Sequence, residues 1–247
     1  MKTAERHRLK HNEVADTLQD VLASVQTNRR LIVAGLVAIL VVVSSVGAWT
    51  YYRGQRNGKA SALLGEAMVV ADAQVVEPVA PAPGQKLPPP PPNTFPTERA
   101  KLEAVLPKFL AAADAYPDTM AGIAARYHAA ATLAALGRRA DARQRYSDVI
   151  ARDRRGLYGK MARLAQADLS VQDKQYDQAI ATLRELSLDT KGDVPVDAVL
   201  SQLGAAYLAG GKKAEAQQTF QRITTEFAAS PYAPDARKQL DVLKGKS

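Results

Sequence analysis

Residues able to do chemistry are few in this chain, and they are scattered. Of its three histidines, His7 and His11 fall in the N-terminal tail, while His128 lies between Tyr127 and Ala129 in an Ala-rich stretch and reads as a packing or surface side chain. Cysteine is absent, which excludes disulfides, thiolate metal ligands and cysteine nucleophiles but leaves the compartment open. Asp168 and Asp173 bracket a predicted helix end with no histidine to work with, and read as solvated carboxylates. No HExxH pair, glycine-rich phosphate loop, nucleophile elbow or carboxylate dyad is present, so the groups that hydrolysis, phosphoryl transfer or acyl transfer would require are missing. The sequence therefore predicts no catalytic centre, no cofactor, no metal site and no small-molecule substrate.

One charge cluster remains: Arg152, Arg154, Arg155, Lys160 and Arg163, at a predicted turn. It reads either as a basic patch for an acidic partner or anionic headgroups, or as a solvated turn whose cations complement a helix C-terminus. The formal charge of +8 is no sign of nucleic acid, since from Glu98 onward 23 Lys and Arg face 18 Asp and Glu, spread along the chain. With no nucleic acid indicated, the partners expected are proteins and lipid.

The elements that must position these residues start with Leu31–Tyr52, which holds no charge between Arg30 and Arg53. As a helix this stretch rises roughly 33 Å, enough for the roughly 30 Å hydrocarbon core of a bilayer. Trp49, Tyr51 and Tyr52 close it with an aromatic belt. A cleaved signal peptide is the rival reading, but 30 residues precede the apolar core and that core is too long. Lys2, Arg6, Arg8, Lys10, Arg29 and Arg30 place the N-terminus in the cytoplasm, against Arg53, Arg56 and Lys59 on the other flank. Before the span, Val14, Leu18, Val21, Leu22 and Val25 predict a short amphipathic helix over Asn12–Thr27.

After the span, residues 58–76 predict an Ala-rich helix. Nine of the fourteen prolines then fall between Pro78 and Pro96, which reads as a polyproline spacer. The expected division is a tail (1–30), a membrane helix (31–52), a juxtamembrane helix (53–77), a proline-rich linker or insertion (78–97) and one helical domain (98–247).

Within that domain Phe109, Tyr146, Leu183 and Phe220 recur every 37 residues, as do Ala142, Ala179 and Ala216, and Ala112, Val149, Leu186 and Ile223. Large, small and medium apolar residues repeating in one order are what stacked helical hairpins require, because each hairpin buries its face only against its neighbours. Leu203-Gly204, Tyr207, Ala216 and Phe220 stand at the offsets of a tetratricopeptide repeat, which this pattern closely resembles. Gly137 and Gly211 close the first helices of two hairpins, whereas Lys174 stands at that place in the middle one. Pro107 is expected to kink its helix. The expected fold is all-α: the membrane helix, then a tetratricopeptide-like right-handed α-solenoid of about 3.5 to 4 hairpins. Its helix pairs are expected near 122–136 with 139–152, 157–171 with 176–187, and 195–209 with 213–227, capped by 233–244. Residues 58–76 would pair with the helix from Glu98 across the proline-rich insertion.

In repeats of this kind the first helix of each hairpin lines the concave surface. Here that places Tyr127, Ala131, Ala134, Leu164, Asp168, Val171, Ser201, Ala205 and Leu208 on the candidate binding face. The face is mostly small or apolar, suited to a helix, an unfolded segment or the chain's own residues 58–76, and it lacks the Lys and Asn of a carboxylate clamp.

A single N-terminal anchor, a helical segment and a degenerate repeat domain together resemble the bacterial YfgM-type family, the ancillary subunit of the SecYEG translocon. That resemblance implies a single-pass inner-membrane protein with a cytoplasmic N-terminus and a periplasmic domain, contacting translocon subunits and periplasmic chaperones as secreted chains emerge. A second expectation comes from Ser230 to Ala236, SPYAPDA, which is similar to helix starts in periplasmic repeat proteins of envelope assembly and cell division.

Overall fold

The computed structural model describes residues 29–77, 91–189 and 192–245. His7, His11, the helix expected over Asn12–Thr27 and residues 78–90 of the proline-rich segment lie outside the described residues.

The chain divides into two compact units that meet between Gln55 and Arg56. Of the first, the described part is the beginning of helix α1, Arg29–Ala71. Its apolar window has a mean hydropathy of 2.7 and none of it is buried, as expected of a surface whose solvent is hydrocarbon. It is long and apolar enough to cross a membrane. At its far end the Arg53 guanidinium sits 5.2 Å from the centre of the Trp49 ring. Where the sequence reading placed two helices, the structure has one element of 43 residues. The apolar run ends at Tyr52, but nothing between Arg53 and Ala71 breaks a helix: no proline intervenes, and Lys59, Ala60, Leu63, Leu64 and Ala67 are good helix formers.

The second unit is a row of antiparallel neighbours. After α1 come two short strands, β1 (Gln74–Val75) and β2 (Thr94–Phe95), then α2 (Glu98–Ala115), α3 (Met120–Ala135), α4 (Arg139–Arg152), α5 (Leu157–Gln172), α6 (Tyr176–Ser187), α7 (Val196–Ala209), α8 (Lys213–Glu226) and α9 (Ala233–Leu243). Each of α2 to α9 packs on the next, and α3 also touches α5, as α5 touches α7. That is the contact pattern of hairpins stacked in one direction. The helices from α3 onward lie within two residues of their expected bounds. α2 runs through Pro107 as a single element, with Pro107 itself exposed.

Local chemistry starts and stops the helices. Thr97 and Thr119 cap α2 and α3, their hydroxyls accepting from the Ala100 and Gly122 amides at 3.1 and 3.0 Å. Asp153 caps α5, with Oδ2 accepting from the amides of Tyr158 and Gly159 at 3.0 and 3.2 Å. Three first helices end in the same turn, in which Arg138, Gln175 and Lys212 donate back to Leu133, Ser170 and Tyr207 at 2.7–2.8 Å. The residue before each donor is left-handed: Gly137 (φ 78°), Lys174 (φ 61°) and Gly211 (φ 75°).

The strands were not expected. They pair in parallel, Gln74 with Thr94 and Val75 with Phe95, and the Val76 amide donates to the Phe95 carbonyl at 2.9 Å. The two ends of the proline-rich segment are thereby held side by side.

Two cores meet at α5. One joins Ala67 of α1 to Val105, Phe109, Leu133, Tyr146 and Leu169; the other joins Ala167 to Leu183, Leu200, Phe220 and Leu240. Ala60 and Ala67 of α1 are buried, and Leu63 and Leu64 pack on Ala112, Ala113 and Ala125. Residues 58–71 thus pack on the first core; the partner helix expected over 58–76 ends at Ala71, and Gln74–Val75 form β1 instead.

Candidate functional site

The nine candidate positions lie on α3, α5 and α7, the first helices of three successive hairpins. Periodic packing explains their common face: the residues one helical step away, Ala130, Ala167 and Gly204, point into the cores. Tyr127, Ala131, Ala134, Leu164, Val171, Ser201 and Leu208 are half-buried, whereas Asp168 and Ala205 are exposed. Leu164, Val171 and Leu208 also cover the second core and Ala134 the first, so part of the face has a packing role.

At its α3 end the face opens into a cleft of about 270 Å³ between α1, α2 and α3, with Met68, Leu102, Phe109, His128 and Ala131 in its wall. His128 stacks on Phe109 with ring centres 5.2 Å apart, and burial lowers its pKa, favouring the neutral ring. Tyr127 packs edge-on to His128 at 5.6 Å and lies 5.7 Å from Tyr146 of α4 and 5.8 Å from Tyr158 of α5. Burial, with Tyr158 second, raises the Tyr127 pKa. Burial raises that of Tyr146, reinforced by Tyr127 and by Asp168, so the phenols stay protonated.

The five cations of the charge cluster do not form one free patch. Arg152 pairs with Asp118 at 2.8 Å, Lys160 with Asp189 at 2.6 Å and Arg163 with Glu185 at 2.7 Å. Arg154 and Arg155 are exposed at the turn and have no ion pair among the described residues. Asp173, read from sequence as solvated, instead accepts from Arg139 and Arg143 of α4 at 3.4 and 2.7 Å. The sequence reading failed there because the partners lie 34 and 30 residues away, in the preceding hairpin.

The sequence reading missed two features, although Arg126 recurs as Arg163 and Tyr158 as Tyr232 at one and two intervals of 37 residues. Tyr158 joins the aromatic cluster although the residue 37 further on is Pro195. Arg126 is 5% exposed; its Nη2 donates to the Ala113 carbonyl at 3.1 Å and contacts Asp114 Oδ1 at 3.4 Å, at the C-terminal end of α2 where a cation is favoured. No group of three potential metal-ligating side chains occurs among the described residues.

Stacked helical hairpins with a shared face on their first helices define a repeat scaffold. The family model described as a tetratricopeptide repeat-like domain matches residues 25–243, and the chain belongs to that family. Two solved structures agree on the fold. A putative kinesin light chain from Podosopora anserina with nearly identical TPR-like repeats is similar at TM-score 0.51 and 14% identity, covering 59% of this chain and 78% of that one. A second structure of the same description gives 0.51 and 13%, with 59% and 79% covered. A tetratricopeptide repeat protein from Parabacteroides merdae shows 16% identity, with 60% and 56% covered, at TM-score 0.49. No curated protein matches.

Proposed function

We propose that this chain is a membrane-anchored, non-enzymatic module that binds polypeptides along the first helices of its hairpins. The observation that carries the reading is the face shared by α3, α5 and α7, half-buried and mostly apolar, in a chain of the tetratricopeptide repeat-like family. Such a surface gains from burying a partner's apolar side chains over a length no single helix offers. In this reading residues 1–30 form a cytoplasmic tail, 31–52 the span, 53–77 a juxtamembrane segment that is helical to Ala71, 78–97 an insertion and 98–247 the binding domain. The domain lies on the periplasmic side of a bacterial inner membrane, in the manner of the YfgM-type family. Its partners are translocon subunits, periplasmic chaperones or the unfolded chains passing between them.

Crosslinking of the full chain in native membranes, followed by identification of the attached proteins, tests this. Recovery of translocon subunits or periplasmic chaperones is expected. Septal or outer-membrane components would move the assignment to envelope assembly or division, the pathway to which Ser230–Ala236 is similar. There Ser230 Oγ donates to Asp197 Oδ2 at 2.6 Å, tying the start of α9 to α7. Exclusively cytoplasmic partners would overturn the topology.

A further inference from the structure

The C-terminal end of the membrane span holds donors that the protein does not satisfy. Tyr52 closes the charge-free run of α1, and Arg53 follows at once. Side chains on a helix lean toward its N-terminus, and Arg53 does so: its guanidinium lies 5.2 Å from the centre of the Trp49 ring, one turn back toward the apolar run. The indole face attracts the charge but offers no oxygen to the five N–H donors of the guanidinium. Arg53 is exposed and has no ion pair or hydrogen bond among the described residues. Trp49 is exposed too, and its indole N–H has no acceptor among them. The Tyr51 hydroxyl differs, since it accepts from Gln55 Nε2 at 3.0 Å within the helix.

Charge at this end is one-sided. Arg56 and Lys59 follow Arg53, and no acidic residue occurs between Arg30 and Glu66. In the topology proposed above these cations lie on the translocated flank, where Lys and Arg are usually sparse, so their retention calls for a counter-charge. An aromatic belt sits at the depth of the lipid headgroups, and the oxygens within reach of Trp49 and Arg53 there are those of phosphates and glycerol esters. A phosphate accepts from both arms of a planar guanidinium and from an indole N–H beside it. A zwitterionic headgroup brings its own ammonium into the same layer and leaves the excess of cations uncompensated, whereas a headgroup of net negative charge offsets it.

We propose that Trp49 and Arg53 seat the phosphate of an anionic lipid at the C-terminal end of the span. The inference rests on the membrane-spanning part of the reading above, is independent of its polypeptide partners, and names the lipid class that the anchor selects.

Trp49 is the chain's only tryptophan, so its fluorescence reads this site alone. The full chain is placed in phosphatidylcholine nanodiscs in which a minor share of the lipid is brominated high on its acyl chains, either as phosphatidylglycerol or as phosphatidylcholine. Quenching is expected to show the brominated phosphatidylglycerol enriched about fivefold beside Trp49 relative to brominated phosphatidylcholine. Arg53→Gln should cut that enrichment to about half or less, while Arg30→Gln, about 28 Å away along the helix, should leave it unchanged. Equal quenching by the two lipids, or a smaller loss in Arg53→Gln, would overturn the inference. An equal loss in Arg30→Gln would do so by making the preference a matter of net charge. Inorganic phosphate that cancels the enrichment, where chloride at matched ionic strength does not, would assign the site to a free anion and overturn the lipid. Release of the chain from native membranes by alkaline carbonate would remove the membrane-spanning reading by itself.

Discussion

At the scale of single residues, the fit between hairpin helices comes down to one small side chain against one large one. A Cβ built on Gly204 would lie 2.5 Å from Phe220 Cε1, and Phe220 is 4% exposed, with little room to retreat. The equivalent pairs are Ala167 with Leu183 and Ala130 with Tyr146, so the third hairpin needs a glycine where the others accept a methyl. Gly204→Ala should destabilise by about 1–3 kcal/mol, lowering the melting temperature by about 2–4 °C per kcal/mol, as scanning calorimetry would show. His128 makes a pH prediction. Burial between Phe109 and Tyr127 lowers its folded-state pKa below the unfolded value of about 6.5. The unfolded chain therefore binds a proton first. The stability that His128 contributes is complete above about pH 6.5, falls as pH drops toward the folded value, and then stays lost. Melting curves between pH 7.5 and about 5 should show a steeper loss in wild type than in His128→Gln.

At the scale of elements, the helix ends show how far the repeat dictates local sequence. Gly137 and Gly211 take the left-handed turn freely, but Lys174 takes it at φ 61° with a Cβ. Lys174→Gly should stabilise by about 0.5–1 kcal/mol, the relief of strain exceeding the added freedom of the unfolded chain. Urea unfolding of the two forms would read this as a raised midpoint with an unchanged slope. The helix positions were legible in the sequence because stacking repeats a physical demand every 37 residues, visible in Phe109, Tyr146, Leu183 and Phe220. What depends on contacts between elements was hidden. Tyr158 is followed one repeat on by Pro195, Arg126 recurs as Arg163 but with a different acceptor, and the ion pairs of Asp173 cross from one hairpin to the next. The continuity of α1 past Tyr52 was hidden for a different reason: the change from apolar to charged residues alters the solvent the helix surface prefers and leaves the backbone conformation untouched.

At the scale of the whole molecule, stability passes from neighbour to neighbour, with α5 shared by both cores and α9 closing the far end through Ala233, Ala236 and Leu240. Two residues per strand carry no alternation a reader could detect, so the pairing of Gln74 with Thr94 and Val75 with Phe95 was invisible beforehand. Its consequence is modular. The clasp fixes the points between which residues 78–90 run, and makes that stretch the place to test a graft. Halving that stretch, or exchanging it for an unrelated peptide tag, should alter the unfolding free energy by only about 0.6 kcal/mol. Calorimetry on such a graft should find the hairpins melting as before, while a foreign epitope rides on the same clasp.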